Sequence, residues 1–221
     1  MAQIETELQL LKTEVVNMWN LVISQLTNAR LSFINFDKDL AREVVAKEKR
    51  VNGTELKIDR DCENIFALFC PVAIDLRFLL ASLKINSNLE RIGDIAEGIA
   101  KYIISADGPF TDGLLQATRT LQMYEESVNL LEDTLTSFEK EDTILARSVF
   151  KKDEFLDNIN VSSNRNIEKY LTDHPEDLSQ ALWILSIIRK LERVGDQSKN
   201  IAEEIIFYLE AKVLKHKNKH S

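Results

Sequence analysis

Four pairs of acids, each spaced four residues apart, stand in stretches with strong helical periodicity: Glu55/Asp59, Glu90/Asp94, Asp153/Asp157 and Glu192/Asp196. On an α-helix this spacing puts both side chains on one face, about 5–6 Å apart at Cβ. Pairs from adjacent helices would gather four carboxylates, which repel one another and raise each other's pKa until a cation joins them. An all-oxygen set suits hard cations such as magnesium, manganese, calcium or oxidised iron better than a structural zinc. The spacing alone is common, since this acid content yields roughly two such pairs over a helix-periodic template. The chain holds five, counting Asp173/Asp177, which spans the break at His174-Pro175. For any single pair, a solvated charged face is the plain alternative.

Repetition lifts the four pairs above that background. A shift of 102 residues lays Leu89-Glu90-Arg91-Ile92-Gly93-Asp94 on Leu191-Glu192-Arg193-Val194-Gly195-Asp196, Ile99-Ala100 on Ile201-Ala202, and Asp75-Leu76 on Asp177-Leu178. Further back a shift of 98 lays Glu55-Leu56-Lys57-Ile58-Asp59 on Asp153-Glu154-Phe155-Leu156-Asp157. The difference is about one helical turn, so the faces are kept. Other positions on the same face change sign, Glu97 and Lys101 becoming Lys199 and Glu203, while the paired acids are kept in both halves. Gly93 and Gly195 sit mid-helix, where glycine costs about 1 kcal/mol relative to alanine. Their matched placement points to a close neighbour or to ligand access. Cys62, one turn beyond Asp59, is either a packed thiol or a neighbour of the first site; its counterpart is Asn160.

The elements that must position these groups are long helices. Glycine (6) and proline (3) are scarce in 221 residues, which disfavours a turn-rich β protein. Breakers mark six helices: about Gln3 to Ile34, a second capped by Asn35 or Asp37 and reaching Phe69, a third opened by Pro71 and Asp75 and ending near Ala106, a fourth from Asp112 to Phe138, a fifth from Glu141 to Leu171, and a sixth from Glu176 to Lys215. Asp107-Gly108-Pro109 is the strongest punctuation, giving halves 1–107 and 108–221. Short connections make neighbours antiparallel, so the expected fold is all-α: two tandem, pseudo-two-fold related three-helix bundles. Ile92, Ile95, Ile99 and Ile103 lie opposite Glu90 and Asp94, and Val194, Ile201 and Ile205 lie opposite Glu192 and Asp196. The stripes Val44, Val51, Ile58, Ile65 and Val149, Leu156, Ile167 set the other pairs on a shoulder. The acids are thus expected on bundle surfaces. Leu76, Leu79 and Leu83 continue the face bearing Glu90, as internal packing or as a docking patch.

Composition sets the remaining bounds. A formal charge of −8 opposes general nucleic-acid binding. The segment from Lys212 to Ser221 runs against it, with four Lys, two His and no acid: a frayed helix end or a tail for an anionic partner. No signal-peptide pattern and no apolar run of membrane-spanning length are present, and two cysteines without a CxxC suit a reducing compartment, so the expected location is cytoplasmic. The three histidines fall in a loop and the tail, and neither a Glu-x-x-His pair nor a phosphate loop nor a GxSxG or HExxH occurs, so no enzyme activity is expected.

At Leu-Glu-Arg-Ile-Gly-Asp in one half and Leu-Glu-Arg-Val-Gly-Asp in the other, and at Pro71…Asp75-Leu76-Arg77, the sequence resembles the PhoU family, accessory proteins of bacterial phosphate-specific transport. The resemblance covers nearly the whole chain. It implies two symmetry-related three-helix bundles, and multinuclear metal clusters held by E(D)xxxD pairs, here Glu55, Asp59, Glu90, Asp94, Asp153, Asp157, Glu192 and Asp196. It also implies negative control of phosphate uptake and of the phosphate-starvation two-component response, through the transporter's ATPase subunit and a phosphate-sensing histidine kinase, by a protein expected to be a homodimer. A metal-free helical scaffold for the same partners is the alternative. Two positions depart from the family pattern: Asn200 is matched by Gly98, and Arg77 by Ser179.

Overall fold

The computed structural model of this protein describes residues 2–214, which form seven α-helices, with no β-strand among them. These are α1 (Ala2–Asn35), α2 (Lys38–Phe69), α3 (Ala73–Ser105), α4 (Asp112–Thr118), α5 (Thr120–Lys140), α6 (Thr143–Asp173) and α7 (Leu178–Glu210), with a 3₁₀ turn at Pro175–Asp177 before α7. The expected apolar stripes are the buried ones. Val44, Val51, Ile58 and Ile65 of α2, Ile92, Ile95, Ile99 and Ile103 of α3, Val149, Leu156 and Ile167 of α6, and Val194, Ile201 and Ile205 of α7 all lie in the core. Leu79 is buried with them, and Leu76 and Leu83 are half-buried, so that face packs inward.

The turn into α2 shows how local chemistry sets the bundle. Phe36 takes a left-handed conformation (φ 49°), and Asp37 then accepts from the amides of Asp39 (3.0 Å) and Leu40 (2.9 Å), two donors that the first helical turn leaves unpaired. Asn35 is the last residue of α1, so Asp37 is the cap. The second half does the same: Glu141 has φ 54°, and Asp142 accepts from Ile144 (2.9 Å) and Leu145 (3.0 Å). The Asp37 amide donates to Ser32 O, and the Asp142 amide to Ser137 O. Each correspondence is a shift of 105 residues (142 − 37 and 137 − 32), and α2 and α6 nearly match in length. This corrects the shift of 98 expected for these helices. The two values differ by seven residues, two helical turns, which leaves the face unchanged and is therefore invisible to periodicity.

Two other expectations are corrected. The fourth helix is not continuous but breaks at Arg119 (φ 57°), so seven helices replace six. Thr118 is buried there, its hydroxyl within reach of Leu114 O (2.7 Å) and of the Thr120 hydroxyl (2.7 Å), bonds that compete with a continuous helix. The Arg119 side chain then lies over the Phe155 ring, 4.9 Å from its centroid. The last helix ends at Glu210 rather than Lys215, with Ala211 in the left-handed conformation. Lys212 pairs with Glu210 at 2.9 Å, and the rest of the basic tail from Lys215 onward lies outside the described residues.

The halves share one core, with α3 packed along α7 and α1 against α5. Tyr102 packs at a tilt on Trp183 (centroids 5.1 Å apart) and Trp19 likewise on Phe138 (5.3 Å). Trp19 Nε1 donates to Leu131 O across the interface at 3.2 Å. At the junction Asp177 does not cap α7 with its side chain. It is buried and accepts from the hydroxyls of Tyr170 (2.7 Å) and Thr111 (3.0 Å), fastening the inter-repeat loop to α6 and α7.

Candidate functional site

Gly93 and Gly195 show how the carboxylates are set. Each lies against side chains of a partner helix of its own bundle. A Cβ on Gly93 would stand 3.0 Å from Val51 Cγ1 and 3.3 Å from Glu48 Oε2; one on Gly195 would overlap Asp153 Oδ1 and stand 3.0 Å from Leu156 Cδ2. Both glycines therefore make room for a buried carboxylate from the facing helix. The pairing again equates Glu48 with Asp153 and Val51 with Leu156 by 105 residues. Under it, the counterparts of Asp153 and Asp157 are Glu48 and Asn52, while Glu55 and Asp59 answer to Asn160 and Asn164.

On the first face, between α2 and α3, Glu48 is 4% exposed and neither carboxylate oxygen has a hydrogen-bond partner. The Gln25 amide lies beside it and favours the ionised form, but its Nε2 donates to Val44 O at 2.8 Å. Burial, then the charges of Asp94, Glu97 and Glu90, push the Glu48 carboxyl up to about 7. Glu90 is raised by burial and by Asp94 and Glu55, and Glu55 by burial and by Asp59 and Asp94, so these acids face one another. Asp59 is drawn aside: its Oδ1 accepts from Asn86 Nδ2 at 3.0 Å, and the same nitrogen donates to Glu55 O at 3.0 Å. Asp94 is exposed. Cys62 is a fully buried thiol, packed in the core.

On the second face, between α6 and α7, Asp153 is 2% exposed. Burial raises its carboxyl despite Lys199, whose ammonium lies 2.7 Å from Asp153 Oδ2 and 3.0 Å from Asp196 Oδ1. Burial works to lower the Lys199 ammonium, but the hydrogen bonds and charges of the two aspartates prevail and hold it above its ordinary range. Asp196 is engaged by Lys199, three residues along the same helix. Glu192 is raised by burial and by Asp196, Asp157 and Asp153. Lys199 stands at the repeat position of Glu97, which pairs with Lys101 at 2.6 Å. The sign change that resembled neutral surface drift is the main chemical difference between the two faces.

Both faces open on a groove of about 650 Å³ at the α3–α7 seam, lined by Asp94, Glu97, Lys190, Arg193 and Asp196 among others. Lys190 crosses from α7 over Gly98, where a Cβ would overlap its Nζ, and reaches the Tyr102 ring, 5.5 Å from the centroid. A side chain at position 98 would have to displace that ammonium.

Among the described residues, no three acids, histidines or cysteines converge closely enough to hold a metal ion as they stand. The faces differ in how well they suit one. Glu48 offers two buried oxygens without hydrogen-bond partners, under the charges of Asp94 and Glu90, and oxygen donors of this kind are what a hard cation selects. At the second face, an ammonium group already lies between Asp153 and Asp196. Pattern reading singled out neither Glu48 nor Lys199. The matched caps Asp37 and Asp142, seven residues out of step with the shift of 98, were the available signal for Glu48.

The PhoU domain model matches this chain twice, over residues 15–103 and 120–205. The phosphate-specific transport system accessory protein PhoU of Edwardsiella tarda is 33% identical over 214 residues, covering 97% of this chain and 87% of that protein; its Escherichia coli K12 counterpart is 30% identical over the same length. The crystal structure of PhoU from Pseudomonas aeruginosa superposes with a TM-score of 0.87 at 29% identity, covering 94% of this chain and 99% of that one. The phosphate transport system regulatory protein PhoU from Streptococcus pneumoniae gives 0.86 at 27% identity, covering 96% and 99%. Two domain matches, near-complete coverage in sequence and a shared tandem helical architecture place the chain in the PhoU family.

Proposed function

We propose that this protein is a regulatory accessory of phosphate uptake that acts by binding rather than by catalysis. Its likeness to solved PhoU structures over almost the entire chain, one of them titled a phosphate transport system regulatory protein, carries this reading. A protein without chemistry of its own alters a partner only through different affinities for that partner's states. The proposed partners are the ATPase subunit of the phosphate transporter and a phosphate-sensing histidine kinase, each held in its phosphate-replete state, which amounts to negative control. The protein works in the cytoplasm as a homodimer and meets the membrane through its partners; among the described residues no helix is long and apolar enough to cross one.

Metal belongs to the same reading. A hard cation such as manganese, magnesium or iron, bound at a carboxylate face, would neutralise crowded acids and stiffen the helix pair that presents them. Glu90 and Asp94 would supply the outer oxygens on the first face, and Glu192 and Asp196 would do so on the second only with Lys199 displaced. Deleting the gene should switch on phosphate-starvation genes in phosphate-rich medium, and an intact copy should restore repression. A starvation reporter that stays silent in the deletion strain under phosphate excess refutes the regulatory role.

A further inference from the structure

We infer that the two carboxylate faces are chemically unlike: the first repeat takes a hard divalent cation on Glu48, Glu90 and Asp94, and the second holds its own Lys199 ammonium in the corresponding place. This rests on the metal-binding reading above and divides it between the repeats.

The cradle is the same on both sides. A buried glycine of α3 or α7, Gly93 or Gly195, admits a carboxylate from the neighbouring helix, and each carboxylate is more than nine-tenths buried. What answers the buried charge differs. Asp153 has Lys199 on one oxygen, and the same ammonium reaches Asp196, so one cation joins the inner and outer acids as a bound metal would. Glu48 has no cation on either oxygen: the neutral Gln25 amide lies beside it, and its charged neighbours are Asp94, Glu97 and Glu90. A buried carboxylate among like charges is costly unless it is neutralised. At the position where the second repeat carries its lysine, the first carries Glu97, whose carboxylate is turned to Lys101. Lys101 thereby attends to Glu97, and Glu48, Glu90 and Asp94 remain as an oxygen set of net negative charge. Oxygen donors, one of them buried, are the chemistry that manganese and magnesium select. A mobile cation thus meets an unanswered carboxylate on one face and an already paired one on the other.

The test is titration of the chelator-treated full chain with Mn²⁺, with bound ion read from the loss of the free Mn²⁺ electron paramagnetic resonance signal. Wild type should bind Mn²⁺. Glu48→Gln, equal in size, should weaken that binding roughly tenfold or more, while Asp153→Asn leaves it unchanged. Glu97→Lys, which gives the first face the second face's cation, should abolish it. Lys199→Gln should add a second class of bound Mn²⁺, lost again in Lys199→Gln/Asp153→Asn. Circular dichroism shows which variants fold; if Lys199→Gln does not, the comparison of Glu48→Gln with Asp153→Asn still decides. Equal weakening by those two variants, or undiminished binding in Glu97→Lys, overturns the asymmetry while leaving metal binding intact. Absence of Mn²⁺ binding in wild type and Lys199→Gln alike overturns the metal reading, and the asymmetry with it.

Discussion

Replacing Gly195 by alanine sets two calculable effects against each other. In a helix interior alanine is favoured over glycine by about 1 kcal/mol. Against this, the new Cβ overlaps Asp153 Oδ1 and lies 3.0 Å from Leu156 Cδ2. Asp153 has little freedom to yield, because it is buried and its other oxygen is held by Lys199 at 2.7 Å. Overpacking of this kind costs typically about 1–3 kcal/mol. Displacing the aspartate also weakens a charged hydrogen bond, another ~1.5–3 kcal/mol if it is lost outright. The expected net is destabilisation by about 1–3 kcal/mol. Gly53 supplies the control: it lies mid-helix in α2, exposed, with nothing within 4 Å of a built Cβ. Gly53→Ala should therefore gain about 0.5–1 kcal/mol. For a chain of this length the gap between the variants corresponds to roughly 3–16 °C in Tm. Gly93→Ala should fall between them, since its nearest contact is 3.0 Å to a valine methyl and the Glu48 oxygens lie at 3.3 and 3.4 Å. Calorimetry with chelator present measures all three. A Gly195→Ala protein that melts at or above Gly53→Ala would refute the claim that glycine is there to admit the aspartate.

Asp37→Ala and Asp142→Ala should each cost about 1 kcal/mol in urea unfolding, as matched N-caps, whereas Asn35→Ala should be near neutral. Because Trp19 and Trp183 both lie where the halves meet, tryptophan fluorescence and circular dichroism should report one coincident transition; a biphasic melt would show that the halves unfold separately. Trp19→Ala should cost about 3–5 kcal/mol, losing a fully buried ring and its bond to Leu131 O. Cys70 is exposed and should react promptly with a thiol reagent, whereas burial, together with nearby Asp59, Asp61 and Glu63, pushes the Cys62 thiol up to about 12. Its thiolate form is therefore suppressed in the folded state, and Cys62 should be labelled only on unfolding.

Much of this molecule is decided by local sequence alone. Scarce glycine and proline, the core stripes of α2, α3, α6 and α7, and the doubled Leu-Glu-Arg-x-Gly-Asp segment predict long helices in two similar halves, because each is a matter of spacing along one helix. The same spacing sets Glu90, Asp94, Glu192 and Asp196 on one face of their helices and makes the two glycines a matched pair. The break at Arg119 carries neither glycine nor proline: its signal is only a pair of threonines bonding locally, and the contact that seats Arg119 over Phe155 of α6 exists only in the folded bundle. The facing acids were misaligned for a different reason. Sliding α2 by seven residues against α6 turns its face by only about 20°, so every apolar position still points inward and the hydrophobic pattern accepts either alignment. What separates them is which side chain meets Gly93 and which meets Gly195, and that is fixed only when two helices touch. Tertiary contact is likewise what turns Lys199 from a surface lysine into the counter-ion of a buried aspartate and leaves Glu48 without one, since the cost of a charge depends on what surrounds it rather than on its place in the chain.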